Sequence, residues 1–322
     1  MEEVVVVIVG AGPSGLATSV CLNQLSILNV ILEREDCYAS LWKKRTYDRL
    51  TIHLAKEFCS LPFMPHLPTC PTFMPKDIFV QYLDVVANGE NGEDFVPELL
   101  GLDSFGGVVI HASEYKTGKQ YEDKEALVVG CGNSGIEIAY DLSNFGTHTS
   151  IVVKSPFHVL TKEMVHLGMV LLKYLPVFLV DTFITILSKF KYDDLSKYGI
   201  YRPKKGPFYV KEIMGRSPVL DVGTVKKIQN KVQFENGFEK EFDVIVFATG
   251  YKSVANNWLR DYKYVLNDDG MPKNSFPTHW KGENGLYCAG LSRRGIFGVS
   301  MDAKAIADDI KMIINNKEKK LE

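Results

Sequence analysis

Length, composition and charge place this chain among ordinary globular proteins. It has 322 residues, of which 46% are hydrophobic and 24% are charged, and its formal net charge is −2. A chain of this length can form two domains with sizeable cores. The near-neutral charge argues against a nucleic-acid partner and against binding to an anionic membrane surface.

The cysteines are spread singly along the chain, at Cys21, Cys37, Cys59, Cys70, Cys131 and Cys288. None of them has Cys-x-x-Cys spacing to another, which argues against a metal site and against a redox-active dithiol. Reduced thiols in a cytoplasmic protein are the simpler interpretation, with peripheral association with the endoplasmic reticulum left open as an alternative. Acidic residues precede the short apolar run that begins at Val4, so no signal peptide is expected there.

The first recognisable unit is a glycine-rich turn between a strand and a helix. Apolar residues run from Val4 to Ile8, and a helical pattern begins at about Leu16. The turn between them has the pattern Gly-x-Gly-x-x-Gly, which is typical of dinucleotide binding because its backbone can approach a pyrophosphate at the helix N-terminus. The predicted phosphate-binding residues are Gly10, Ala11, Gly12, Pro13, Ser14 and Gly15.

A carboxylate follows the next predicted strand. That strand covers residues 29–32, and Glu33 comes directly after it, 18 residues beyond Gly15. An acid at this point accepts hydrogen bonds from the ribose hydroxyls of an adenosine, as in FAD. The alternative is a solvated charge at a strand end, and the neighbouring Arg34 leaves open which charge faces the ribose.

A second strand–turn–helix unit begins at Glu125. The next predicted strand covers residues 150–153 and is followed by a lysine, 19 residues after the last glycine of the turn. A cation here favours the 2′-phosphate of NADP, and an incidental surface lysine is the alternative. The predicted NADPH-binding residues are Gly130, Cys131, Gly132, Asn133, Ser134, Gly135 and Lys154.

The segment between the two units, residues 37–75, contains five prolines and cannot form a regular helix or a central strand. We expect it to fold over a ligand, because large apolar side chains normally bury their area; a plain surface connection is the alternative. The aromatic residues that support this expectation are Trp42, Phe58, Phe63 and Phe73. A helix is predicted from Pro75 to Val86.

Residues 159–190 predict a helical insertion, broken near Pro176, that covers the substrate side. Charged residues leave no run near the roughly 18 uncharged apolar residues that a membrane span needs, and shallow membrane contact is the alternative. The other predicted elements are strands within 226–242 around an Asn236-Gly237 turn, strands at 243–247 and 286–290, a helix at 299–314 and a frayed tail at 317–322.

The chain resembles the plant YUCCA-type flavin monooxygenases over nearly its whole length. The motifs that carry the resemblance are GAGPSG at 10–15, FGGVVIHASEY at 105–115, GCGNSG at 130–135 and FATGY at 247–251. The second of these fits Phe-x-Gly-x-x-x-His-x-x-x-Tyr, the fingerprint that separates this group from other flavoproteins with two dinucleotide sites. The stretches at 47–58 and 276–290 resemble the plant branch in particular.

The resemblance implies an α/β fold with two dinucleotide-binding, Rossmann-like domains. The FAD domain is expected to be discontinuous, covering residues 1–115 and 252–322 and shortened after residue 84. The NADPH domain is expected to be inserted into it at residues 116–251, with the helical insertion at about 159–200.

The resemblance also implies an NADPH- and FAD-dependent monooxygenase that uses O2 to convert indole-3-pyruvate to indole-3-acetate, the auxin, with loss of CO2. The first turn and Glu33 would hold FAD, with Trp42 and Leu50 lining the flavin, and the second turn with Lys154 would hold NADPH. His53 is the candidate for a polar group beside the reacting flavin, although a ring hydrogen-bonded to loop backbone is an equally good interpretation. His111 is expected to organise the domain junction.

The chain departs from the family after Asp84, where several tens of residues are missing. A shorter gap follows Ile228, and Asn88 stands where the family's first Ala-Thr-Gly motif has threonine. Loss of strands would expose sheet edges and core. The alternatives are therefore a spliced or misread product of a gene for an active enzyme, a shortened form with weak FAD retention, a non-catalytic remnant, or a monooxygenase acting on nitrogen or sulfur. A disulfide reductase is disfavoured because it needs paired cysteines.

Overall fold

The computed structural model describes residues 5–86, 93–94, 102–228, 241–252, 255–292 and 294–321. Asn88 and the predicted Asn236-Gly237 turn lie outside these residues. The strands are β1 (Val6–Val9), β2 (Asn29–Leu32), β3 (Glu93–Asp94), β4 (Val108–His111), β5 (Glu125–Val129), β6 (His148–Val152), β7 (Val159–Leu160), β8 (Val219–Leu220), β9 (Val244–Phe247) and β10 (Tyr251–Lys252).

The α-helices are α1 (Pro13–Gln24), α2 (Ser40–Lys44), α3 (Lys76–Val86), α4 (Asn133–Asn144), α5 (Lys162–Leu171), α6 (Val177–Tyr192), α7 (Pro207–Met214), α8 (Thr224–Ile228), α9 (Ala255–Trp258) and α10 (Gly295–Leu321). Within the described residues, no helix is both long enough and apolar enough to cross a membrane.

The chain folds into two compact units. Unit 1 is built from Met1–Arg45, Arg49–Glu93 and Tyr251–Glu322, and unit 2 from Thr46–Asp48 and Asp94–Gly250. Each unit contains one of the two glycine-rich turns, so the α/β class and the presence of two Rossmann-like units are as predicted. The predicted bounds of the cofactor domains, 1–115 with 252–322 and 116–251, stay a proposal.

Unit 1 is centred on the parallel pair β1–β2, in which Val6 lies opposite Asn29 and Val9 opposite Leu32. The inward-facing residues Val6 and Ile8 pack on a core formed mainly by α1, α3 and α10. Burial of these apolar side chains stabilises the unit by roughly 1.5–3 kcal/mol for each fully buried large side chain. Phe79 and Leu83 of α3 are fully buried in this core.

The opposite face of the β1–β2 pair is apolar and exposed. Among the described residues, this sheet has two strands. Side chains alternate along a strand, so every second residue points away from the core. The outward-facing residues retain 37% to 65% of their accessible surface: Val5, Val7, Val9, Leu28, Val30 and Leu32. The structure therefore exposes sheet surface of the kind that the shortened sequence predicts.

Unit 2 contains a parallel sheet of four strands in the order β4-β9-β5-β6. Ala126, Val128 and Val246 share one face of the central strands and are fully buried, as is Phe247 on the other face, whose remaining residues are half-buried. Near-continuous apolar strands are typical of such central positions. The helix α4 follows β5 and lies against β6, which completes a strand–helix–strand unit around the second turn.

Several predicted elements differ from the observed ones. The helix predicted from Pro75 is confirmed as α3, but the start of the segment 226–242 is helical in α8. The strand predicted at 286–290 is wrong: an isolated bridge joins Lys281 and Tyr287 there. Phe63, expected to be buried, is 59% exposed. The terminal helix continues to Leu321 where a frayed tail was predicted.

Candidate cofactor sites

The first turn in unit 1 has a backbone that requires glycine at two places. Gly10 has a φ of +89°, a conformation that costs other residues energy. A Cβ atom at Gly15 would overlap the carbonyl oxygen of Gly10. The helix α1 starts at Pro13 with Gly12 as its N-cap, and Gly12 has no side chain that could cap the first helical N–H groups. The first helical N–H groups can therefore face an anion.

Glu33 lies beside this turn, at the end of β2. Its Oε2 accepts a hydrogen bond of 3.1 Å from the backbone N–H of Ala11, and its Oε1 accepts one of 2.8 Å from Glu35. The backbone N–H of Gly10 donates to Leu32 at 2.8 Å, which ties the turn to the strand end. These bonds hold the carboxylate where the ribose of a bound dinucleotide lies in folds of this type.

The second turn in unit 2 repeats this geometry. Gly130 has a φ of +113°, and a Cβ at Gly135 would overlap the carbonyl oxygen of Gly130. The helix α4 begins at Asn133 with Gly132 as its N-cap, which again has no side chain to cap the first helical N–H groups. The backbone N–H of Gly130 donates to Val152 at 3.3 Å, as Gly10 does to Leu32.

The equivalence of the two turns shows which residue of unit 2 corresponds to Glu33 and which to Arg34. Because Val152 corresponds to Leu32, Val153 occupies the place of Glu33 and Lys154 that of Arg34. The acid that would favour NAD is thus replaced by valine, with an exposed cation one residue further on. The arrangement suits a 2′-phosphate better than a pair of ribose hydroxyls.

Two of the predicted NADPH-binding residues have their side chains engaged within unit 2. Asn133 accepts a 2.7 Å hydrogen bond from the N–H of Leu220 and donates one of 3.3 Å to Pro218, so its amide fixes β8 beside the turn. Burial raises the pKa of the Cys131 thiol, and hydrogen bonds from the backbone of Cys131 and Lys154 partly offset this. Their contribution to a nucleotide would come from backbone groups.

The residues predicted to line the flavin lie in unit 1. Trp42, in α2, is half-buried and packs edge-to-face on Phe79, with ring centroids 4.6 Å apart. Leu50 and His53 are half-buried in the irregular segment after α2. This segment is anchored by the N–H of Ile52, which donates to Met74 at 2.7 Å. The catalytic assignment of His53 stays a proposal.

The fingerprint at 105–115 has its own network in unit 2. His111 is buried, with Nδ1 3.0 Å from Ser113 Oγ and Nε2 3.2 Å from the carbonyl oxygen of Gly250. The Tyr115 hydroxyl donates to the carboxylate of Asp141 at 2.7 Å. These buried polar groups fix the end of β4 and join Tyr115 to the last turns of α4, a structural role that the pattern alone did not specify.

The first turn makes a further contact that the sequence did not predict. Gly290 has a φ of +82°, and a Cβ there would overlap the hydroxyl oxygen of Ser14. Its backbone N–H donates to the carboxylate of Asp302 on α10 at 2.9 Å. The glycine after an apolar run was the available signal, but the partner lies on a helix that follows it.

Comparison with known proteins identifies relatives of this chain. Residues 93–198 match the family model described as flavin-binding monooxygenase-like. The probable indole-3-pyruvate monooxygenase YUCCA10 of Arabidopsis thaliana is 52% identical over an alignment that covers 97% of this chain and 98% of that protein. The chain belongs to the YUCCA family. A second relative, indole-3-pyruvate monooxygenase YUCCA6 of Arabidopsis thaliana, is 42% identical over 94% of this YUCCA-family chain and 89% of its own.

Solved structures share the fold. A flavin-containing monooxygenase from Stenotrophomonas maltophilia superposes with a TM-score of 0.67 and 16% identity, covering 98% of this chain and 100% of its own. A structure of OTEMO in complex with FAD and NADP superposes with a TM-score of 0.66 and 13% identity, covering 98% and 85%. At these identities the likeness establishes the architecture of this YUCCA-family chain.

The alignment with YUCCA10 also shows how many residues this chain lacks relative to that protein. It spans 376 positions, whereas 97% of 322 residues is about 312, so about 64 positions have no residue in this chain. This chain therefore lacks several tens of residues that the relative has, as the sequence indicated. Their location after Asp84 stays a prediction.

Proposed function

We propose that this chain is an NADPH- and FAD-dependent monooxygenase that decarboxylates indole-3-pyruvate oxidatively to indole-3-acetate, in auxin biosynthesis, with O2 as the other substrate. The observation that carries the proposal is the pair of open helix N-termini behind two glycine turns, one next to Glu33 and the other next to Val153 and Lys154. One site suits a free ribose and the other a ribose with a 2′-phosphate.

In unit 1, backbone N–H groups at the start of α1 would hold the pyrophosphate of FAD, and Glu33 would accept hydrogen bonds from its ribose. In unit 2, the start of α4 would hold the pyrophosphate of NADPH, with Lys154 opposite the 2′-phosphate. When bound, FAD supplies the oxygen chemistry and NADPH the reducing equivalents. Trp42 and Leu50 would exclude water from the flavin, and His53 would offer it a polar contact.

The test uses the purified full-length chain. We expect a yellow protein whose flavin absorbance falls when NADPH is added without oxygen. On admission of air with indole-3-pyruvate, mass spectrometry should detect indole-3-acetate. A thioether offered in place of the keto acid distinguishes a sulfur monooxygenase, because its sulfoxide would then form faster. A colourless protein that takes up no added FAD would contradict the proposal.

A second candidate, a shortened non-catalytic form, is favoured by one observation. The β1–β2 pair exposes its outer apolar face, and such a face normally marks a missing partner. In this form the second turn would still bind NADPH while the first turn retained no FAD. Measuring the two affinities separately on the same preparation distinguishes this candidate from the monooxygenase.

We also propose a cytoplasmic location, with peripheral association with the endoplasmic reticulum as the alternative. The six cysteines are free thiols in the structure, which suits a reducing compartment. Fractionation of cells that express the full chain tests this. Recovery with microsomes that is reversed by high salt would support the alternative instead.

A further inference from the structure

A buried histidine–carboxylate pair lies in unit 1 behind the first turn. Nε2 of His279 is 3.0 Å from Oδ1 of Asp302, and the side chains are 4% and 2% exposed. Within the described residues neither ring nitrogen of His279 makes a hydrogen bond of standard geometry, and Nε2 is the nitrogen that lies beside the carboxylate. Because a buried N–H without an acceptor is costly, the ring proton is best placed on Nε2, facing the carboxylate.

The second oxygen of this carboxylate reaches the backbone beside the cofactor turn. Oδ2 of Asp302 accepts the 2.9 Å hydrogen bond from the N–H of Gly290. Gly290 in turn contacts Ser14 so closely that no Cβ atom fits between them. A continuous path of contacts therefore runs from His279 through Asp302 and Gly290 to the phosphate-binding turn.

Aromatic and charged neighbours pack around the His279–Asp302 pair. The ring of Phe276 stacks on His279 with centroids 5.6 Å apart, and the guanidinium of Arg294 lies 3.7 Å from the Phe276 centroid. Burial raises the pKa of Asp302, an effect opposed by the Gly290 N–H and by His279. Buried polar groups whose hydrogen bonds are satisfied hold the segments that they join in a fixed geometry.

A second carboxylate on the same helix offers a comparison. Asp309 lies seven residues after Asp302 on α10 and is also buried. It accepts a 2.7 Å hydrogen bond from the hydroxyl of Tyr287 and pairs with Lys281. Both carboxylates thus clamp the segment 279–290 to α10, and Asp302 is the one that accepts the hydrogen bond from Gly290.

We propose that the His279–Asp302 pair is a positioning device for FAD: it holds Gly290 against Ser14 and so keeps the first glycine turn in the shape that a pyrophosphate requires. This role rests on the proposed FAD-binding function of that turn. His279 and Asp302 act through Gly290 and do not themselves touch the reacting atoms.

The experiment compares Asp302→Asn with Asp309→Asn in the full chain. We expect Asp302→Asn to raise the FAD dissociation constant, followed by flavin fluorescence, by about tenfold, because a hydrogen bond to a charged group is weakened. Asp309→Asn should lower the thermal midpoint similarly yet change FAD affinity less than about threefold. Equal changes in affinity for the two variants would show that the pair has only a structural role.

Histidine variants give a rescue test. His279→Gln keeps an N–H donor near the position of Nε2 and should retain FAD affinity within about threefold, whereas His279→Leu should behave like Asp302→Asn. Equal affinity in the Gln and Leu variants would overturn the role of the His279 donor.

Hydrogen exchange separates failure of this inference from failure of the proposed function. In the FAD-free chain, amides at 288–292 should exchange faster in Asp302→Asn than in the wild type and in Asp309→Asn. If the wild type took up no FAD, the proposed function would be contradicted, and this exchange comparison would still decide whether the pair holds Gly290. Unchanged exchange in Asp302→Asn would overturn the inference.

Discussion

The two glycine turns have nearly the same local geometry but very different sheets behind them. Gly10 and Gly130 share a positive φ, and Gly12 and Gly132 are matching N-caps. Within the described residues, however, the first turn follows a strand of a two-stranded sheet and the second a strand of a four-stranded sheet. A turn is specified by a handful of neighbouring residues, whereas a sheet requires strands that are distant in the chain.

This difference teaches that an intact cofactor motif does not guarantee an intact cofactor domain. The strand β5 is central in its sheet, so its backbone hydrogen-bonds on both sides. The strand β1 pairs with β2 alone among the described residues, and its outer face is exposed. The free energy that holds the first turn in place should therefore be smaller.

The largest expected effect comes from placing a side chain at the last glycine of each turn, where it has no room. A Cβ at Gly135 or Gly15 would meet a backbone oxygen that only a shift of strand or helix can relieve. We expect Gly135→Ala to lower the free energy of unfolding of unit 2 by about 3 kcal/mol, and Gly15→Ala that of unit 1 by about half as much, because β1 has fewer neighbours to hold it.

All three tryptophans, Trp42, Trp258 and Trp280, lie in unit 1, so their fluorescence in urea follows that unit, while hydrogen exchange in β5 follows unit 2. If Gly15→Ala lowered the free energy of unfolding more than Gly135→Ala, the expected difference between the two sheets would be contradicted.

The next effect concerns binding without unfolding. Gly132 has no atom within 4 Å of a built Cβ, so Gly132→Ala should change stability by less than about 0.5 kcal/mol. Its methyl group should nevertheless block the approach of a pyrophosphate and weaken NADPH binding strongly. Gly12→Ala is expected to abolish FAD binding for the same reason. Titration calorimetry measures both, and stoichiometric flavin retained by Gly12→Ala would refute the first site.

A smaller effect distinguishes the exposed and the buried sheet faces. Val128 in β5 is fully buried, so Val128→Thr should cost about 1–3 kcal/mol through its unsatisfied hydroxyl. Val7 in β1 is 55% exposed, so Val7→Thr should cost less than about 0.5 kcal/mol. Chemical denaturation gives both values. Similar costs at the two positions would mean that the outer face of β1–β2 is covered in solution.

The smallest effect concerns the choice of dinucleotide at the second turn. Lys154→Ala should weaken NADPH about tenfold and leave NADH nearly unchanged, since one charge-assisted contact to the 2′-phosphate is lost. Val153→Glu places an acid where the first unit has Glu33 and should move the preference toward NADH. The equilibrium dissociation constants of NADPH and NADH, measured for each variant, test both expectations. An unchanged ratio in Lys154→Ala would make that lysine a surface charge only.

The sequence was most informative where local chemistry decides the structure. Both turns, the helix α3 and the strand β9 could be predicted because glycine spacing and short-range periodicity determine them. The match of Lys154 to Glu33 is one residue out: Glu33 lies 18 residues after Gly15, the same spacing from Gly135 gives Val153, and the hydrogen bond from Gly130 to Val152 confirms that Val153 is the counterpart.

Contacts that join distant segments escaped prediction for a related reason. The pairing of His279 with Asp302 depends on how the segment 279–290 packs on α10, which no short-range pattern encodes. Phe63 was expected to be buried because it is aromatic, yet it is 59% exposed, since burial depends on which neighbours the fold supplies.

The most direct test of the cofactor assignment is hydrogen exchange by mass spectrometry on the full chain, alone and with each nucleotide. FAD should slow exchange in residues 5–24, around β1 and α1, and NADPH in residues 125–144, around β5 and α4. Without ligands, β1 should exchange faster than β5. Protection of residues 125–144 by FAD, or of 5–24 by NADPH, would contradict the assignment of FAD to the first turn and NADPH to the second.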